Sequence, residues 1–115
     1  MNELVDDKQR VRRIRTMNDN LRRTMQGGRV MITQGIMALD AAQFARLIPL
    51  IMDFNDFSED NDPYGEHDFG SLTLDGHTIF WKIDYYDNDC QFGSPDPADP
   101  AVTTRVMTIL LASEY

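Results

Sequence analysis

Asp75-Gly76, set between two runs of alternating apolar and polar residues, constrains this chain more than any other feature. A two-residue Asp-Gly turn favours type I′ geometry, whose twist matches that of the strands it joins. It predicts a hairpin from SLTL to HTIFWKIDYYD and fixes every cross-strand pair, because a slip of one residue would turn each side chain to the wrong face. Leu74 falls opposite His77, Leu72 opposite Ile79, Gly70 opposite Trp81 and Asp68 opposite Ile83. This face is expected to carry the core, with Trp81 covering the glycine. On the other face Thr73 meets Thr78, Ser71 meets Phe80, Phe69 meets Lys82 and His67 meets Asp84.

The last of those pairs would place two Cβ atoms about 4.5 to 5.5 Å apart in a non-hydrogen-bonded pair. A carboxylate beside an imidazole fixes its tautomer and raises its basicity, for acid-base chemistry or for metal ligation. A structural hydrogen bond is the commoner meaning of such a pair, and nothing else in the chain completes a mechanism. Cys90 follows Asp84 by only a few residues, and Ser58, Ser71, Ser94 and Ser113 lack any nucleophile-elbow context. No catalytic residue is therefore assigned; in an enzyme the pair would be His67 and Asp84.

Just before the hairpin, DFNDFSEDNDPYGEHDFG crowds Asp56, Glu59, Asp60, Asp62 and Glu66 into eleven positions. Asp60-Asn61-Asp62-Pro63-Tyr64-Gly65 begins like a calcium loop, with oxygens at positions 1 and 3 and glycine at position 6. The match then fails, since position 5 is Tyr64 and position 12 would be Ser71 in place of a bidentate glutamate. No metal and no cofactor are assigned. Carboxylates capping backbone N–H groups in a turn-rich loop are the expected arrangement.

The flanks read as packing material. From Asp6 to Gln26 no Gly or Pro interrupts a run in which Val11, Ile14, Leu21 and Met25 form a helical stripe, with Asn18 inside it. Arg12, Arg13, Arg15, Arg22 and Arg23 occupy the opposite face, with Asp19 spaced for exposed pairs to Arg15 and Arg23. Gly27-Gly28 is the expected cap, followed by a short strand, Arg29 to Gln34. Asp40 and Gln43 form a capping box for a second helix with Phe44, Leu47, Ile48 and Ile51 facing inward and an irregularity expected near Ala45 to Pro49. Phe54 and Phe57 should complete the core. Asp87 and Asp89 lead out of the hairpin, and Asp99-Pro100 reads as the start of a third helix, whose stripe Val102, Val106, Ile109 and Leu110 continues almost to Tyr115.

The chain has 115 residues, the size of one domain, so the expected organisation is a single domain over 1–115, with a basic helix to residue 26 and an acidic body from 27. Residues 1–29 carry eight Lys or Arg against four Asp or Glu; residues 30–115 carry three against fifteen. An acidic body repels nucleic-acid phosphates and favours a basic partner surface, or metal cations, instead. No apolar run approaches the roughly 18 residues a membrane span needs. The charged N-terminus lacks a signal-peptide apolar region and one cysteine allows no intrachain disulfide, so a cytoplasmic protein is expected.

The strings DFSEDNDPYGEHDFG, FWKIDYYD and FGSPDPADPAVTTRVMTILLASEY resemble a family of small bacterial proteins catalogued as a domain of unknown function, over about Asn18 to Tyr115. The resemblance implies an intact domain and a bacterial cytoplasm, and brings no activity or site residues.

Together these readings predict an α+β fold in the order α-β-α-β-β-α, a three-stranded, mainly antiparallel sheet with helices packed on its Trp81 face. The leading functional expectation is a non-enzymatic acidic regulator or inhibitor. It would use Asp56, Glu59, Asp60, Asp62, Glu66, Phe69, Phe80, Lys82, Asp87 and Asp89 to occupy a basic protein surface. One version, by analogy of size and acidity, is a mobile-element, anti-CRISPR-like inhibitor that masks the nucleic-acid site of a defence nuclease. No direct contact with nucleic acid or membrane is expected. The alternatives are a metal-dependent or acid-base enzyme using His67 and Asp84, and self-association, including a homodimer, with the basic helix of one copy on the acidic body of another.

Overall fold

The computed structural model describes residues 3–115. Three α-helices and a four-stranded mixed sheet follow in the order α1 (Glu3–Thr24), β1 (Arg29–Ile32), α2 (Gln34–Met37), α3 (Ala41–Met52), β2 (Phe69–Leu74), β3 (His77–Tyr86) and β4 (Thr104–Leu111). Single 3-10 turns at Pro100–Val102 and Ala112–Glu114 flank β4. Across the sheet the strands run β1-β4-β3-β2, with β1 parallel to β4 and the other neighbours antiparallel.

The α+β class and the hairpin are as the sequence predicts. From Phe69–Lys82 to Leu74–His77 the register is the one set by Asp75-Gly76, and the Ile83 amide donates to the Asp68 carbonyl at 2.8 Å. Both turn residues take the positive φ that type I′ requires. Ile79, Trp81 and Ile83 are buried on one face, where they pack with Leu21 of α1, Ile36 of α2, Leu47 and Ile51 of α3, and Met107 and Ile109 of β4. Phe54 and Phe57 join them as edge-on neighbours of Trp81.

The C-terminal segment departs from expectation. Asp99 does cap a turn that starts with Pro100, but the helix ends after one turn and the chain continues as β4. Two periodicities coexist in TRVMTILL: Val106, Ile109 and Leu110 suit a helix, whereas Arg105, Met107 and Ile109 alternate. The β-branched residues and the unfilled edge of β3 decide in favour of the strand. The sheet therefore has four strands, and β1 pairs with β4, not with the hairpin.

Smaller differences have local causes. β1 ends at Ile32, and Gln34 begins α2. α1 ends at Thr24, and the residue that reverses the chain is Met25, at φ +59°. Gly28 is needed for a different reason: a Cβ there would lie 2.6 Å from the Arg105 carbonyl oxygen of β4. α3 begins with the expected capping box, in which the Gln43 amide donates to Asp40 Oδ1 at 2.7 Å, and it runs unbroken through Pro49.

Candidate functional site

The acidic loop is a structured turn. The Ser58 amide donates to Asn61 Oδ1 at 2.7 Å, Asn61 Nδ2 donates to the Asp56 carbonyl at 2.7 Å, and the Asp62 amide returns to the Ser58 carbonyl at 2.8 Å. Gly65, with φ +69°, turns its carbonyl toward α1, where Arg15 Nη1 donates to it at 3.2 Å. This wiring sorts the carboxylates. Asp62 points inward and accepts the His67 amide at 3.1 Å, and Glu66 Oε1 accepts the Tyr85 hydroxyl at 2.7 Å. Asp56, Glu59 and Asp60 stay exposed, and among the described residues their carboxylates have no hydrogen bond or ion pair.

Behind the loop lies a seam of buried polar groups that ties α1 to the sheet. Asn18, on the inner stripe of α1, donates through Nδ2 to the Glu66 carbonyl (3.0 Å) and to Tyr85 Oη (2.7 Å), and accepts from Arg105 Nε at 3.0 Å. Arg105 also donates to the Pro97 carbonyl and lies over the Tyr85 ring. Burial and the bond to Glu66 push the Tyr85 hydroxyl far above its ordinary value, and burial lowers Arg105. Arg22 is fully buried, with Nη1 2.9 Å from Asp19 Oδ1 and its guanidinium 5.2 Å from the ring centres of both Phe57 and Trp81. Its two remaining buried nitrogens have no hydrogen-bond partner among the described residues, and the aromatic faces take that place.

His67 belongs to this seam. It does not face Asp84: at φ +55° it leaves the strand one residue too early for the expected pair. Its Nδ1 lies 2.8 Å from Asp19 Oδ1, its Nε2 lies 3.6 Å from Asp62 Oδ2, and its ring stacks on Phe57 at 3.7 Å. Burial alone would raise Asp19, but hydrogen bonds from His67 and Arg22 outweigh it and hold the carboxyl below its ordinary value. An ionised Asp19 only accepts, so His67 Nδ1 carries the proton in this contact. Asp84 instead accepts from Lys82 at 2.7 Å on the open face of the sheet, and that bond raises Lys82. Asp68 is pushed up by burial and by the nearby Glu66, Asp62 and Asp84.

The remaining predicted residues fall in two further places. Phe69 and Phe80 form an aromatic cluster on the open face, with centroids 5.1 Å apart, and Tyr115 meets Phe80 edge-on at 5.8 Å. Asp87 accepts the Gln91 amide at 3.1 Å and organises the turn after β3, and Asp89 is exposed there. The structure thus separates the ten predicted binding residues: a loop rim, two inward carboxylates, an open-face cluster and a distant turn. Among the described residues no group of three or more His, Cys, Asp or Glu side chains is arranged to hold a metal ion, and no helix is long and apolar enough to cross a membrane.

Asn18, Asp19, Arg22, Tyr85 and Arg105 are site residues that sequence reasoning misses. Asn18 carries a signal, a polar residue inside an apolar stripe. Arg22 carries none, because an arginine beside Arg23 reads as solvated.

Fold and seam together define a small α+β domain whose first helix is locked to the sheet by buried polar contacts. The chain belongs to the family described as protein of unknown function DUF3768, whose model matches residues 32–114. No curated protein and no solved structure matches it. The matched segment opens at the last residue of β1, so α1, which supplies Asn18, Asp19 and Arg22, lies outside it.

Proposed function

We propose that this protein is a non-enzymatic binding protein that presents the acidic rim of its loop, Asp56, Glu59 and Asp60, to a basic surface on a protein partner, including the nucleic-acid-binding surface of such a partner. The observation that carries the reading is the sorting of charge within the loop. Asp62 and Glu66 are engaged inside the fold, on the His67 amide and the Tyr85 hydroxyl, so the three outer carboxylates, unpaired among the described residues, sit on a backbone already fixed by internal hydrogen bonds. A preorganised rim loses little conformational entropy on binding, and complementary charge steers association and selects the partner. Phe69 and Phe80 form a separate apolar cluster on the open face of the sheet, apart from the rim.

The test is capture from bacterial lysate by the wild-type chain beside a variant carrying Asp56→Asn, Glu59→Gln and Asp60→Asn. These substitutions leave the internal carboxylates in place. The expected result is a nucleic-acid-binding protein retained by wild type only, released by salt, and displaced by its own nucleic acid. Equal retention by both proteins would defeat the reading.

A further inference from the structure

The sheet ends at β2, and its outer edge has no partner among the described residues. In the hairpin, Leu74, Leu72, Gly70 and Asp68 exchange backbone hydrogen bonds with β3, in line with the Ile83-to-Asp68 bond. The N–H and C=O groups of Phe69, Ser71 and Thr73 therefore point outward. Monomeric proteins blunt such an edge with charge, proline, a bulge or very short length. β2 reads FGSLTL, six residues with no charge and no proline, paired in an unbroken register. The opposite edge, β1, has four residues and carries Arg29.

We propose that β2 is a self-association edge, on which two copies of this chain pair antiparallel about a two-fold axis at Ser71. That register sets Ser71 against Ser71 of the second copy and Phe69 against its Thr73, so all the outward groups are satisfied in about six backbone hydrogen bonds. An aromatic residue opposite a β-branched one is a favourable cross-strand pair, and the two Phe69-Phe80-Tyr115 clusters come to lie on one continuous eight-stranded sheet.

Two observations favour a second copy over a foreign strand. Gln43, Arg46 and Leu50 form an i, i+3, i+7 stripe on α3, and the first two reach Asp75 at the end of β2. Leu50, 46% exposed, continues that stripe along α3, and a two-fold at Ser71 would carry the α3 of each copy on the same side of the joined sheet. The charges also fit: Asp75 is engaged by Arg46, and Asp68 and Asp75 fall at the ends of the paired segment, well away from the axis.

The test is sedimentation equilibrium over a concentration series, with amide hydrogen exchange on the same samples. Wild type should reach twice the 13.2 kDa of the chain, with concentration-dependent protection at Phe69, Ser71 and Thr73. Ser71→Lys places like charges directly opposite one another at an exposed position and should raise the dimer dissociation constant by about tenfold or more. Ser71→Pro removes an N–H that β3 does not use and should do the same. Circular dichroism on both variants establishes that the monomer remains folded. A wild type that stays monomeric with unprotected edge amides, or a dimer indifferent to both substitutions, would overturn the proposal.

Discussion

Gly70 shows how little freedom a single position has in this core. A Cβ built there would stand 2.3 Å from Trp81 Nε1 and 2.8 Å from Phe54 Cζ, both belonging to rigid rings packed on all sides. Gly70→Ala should therefore destabilise the fold by about 1–3 kcal/mol, the usual cost of overpacking, seen as a lower urea midpoint with an unchanged slope. Stability unaffected by the methyl group would mean that Trp81 sits elsewhere. Asp19 makes a prediction in pH. Its carboxyl is held below the ordinary 3.8, so the folded state favours the ionised form. That contribution is complete above the unfolded value and disappears as pH falls through the lower folded one. Asp68 has the opposite sign: raised by burial, it gives stability back as pH drops below its folded value. Thermal melts from pH 7 to pH 3 should show a steep loss below about pH 4. Asp19→Asn should start less stable and show a shallower loss; an equally steep acid limb would assign it to other groups. The seam holding Asp19 is only partly legible in the sequence, because a buried arginine and a solvated one look alike until Phe57 and Trp81 are known to lie beneath it.

At the scale of elements, the hairpin is readable because Asp-Gly specifies both turn and register within a few residues. Its last predicted pair fails because His67 adopts positive φ, which local sequence does not signal. β4 defeats a local reading for a different reason. Asp99-Pro100 is a valid start signal for a helix, yet the conformation of Thr104–Leu111 is decided by the vacant edge of β3 and by β1, features remote in sequence. α1 is legible as a helix, but the depth of its burial is not. It brings Ile14 and Leu21 into the interior, each worth about 1.5–3 kcal/mol of burial, and its Asn18 is bonded to both Tyr85 and Arg105. Deleting residues 1–26 should therefore abolish cooperative unfolding, even though the family match begins at residue 32. Near-UV circular dichroism would register the loss of fixed packing around Trp81. A truncated chain with a sharp, undiminished transition would show that the sheet and α3 form a complete core without α1.

For the whole molecule, the distribution of charge decides how two surfaces respond to salt. The net charge is −8, with an excess of twelve negative charges beyond residue 29. The proposed docking of a basic partner on the rim of the acidic loop rests on attraction between opposite charges, so that affinity should fall as ions screen the field within a Debye length of about 8 Å at physiological ionic strength. Pairing through β2 brings two acidic bodies together and rests on backbone hydrogen bonds and apolar contact, which salt leaves largely intact. Its dissociation constant should stay level or fall as salt rises from about 0.05 to 0.5 M, where the Debye length shortens and repulsion fades. Sedimentation and partner capture, measured on the same preparation across that range, should therefore move in opposite directions. Self-association that weakens with salt would instead implicate the exposed arginines of α1 against the acidic loop of a second copy. Asp56→Asn, Glu59→Gln and Asp60→Asn would then dissociate the dimer, and Ser71→Lys would not.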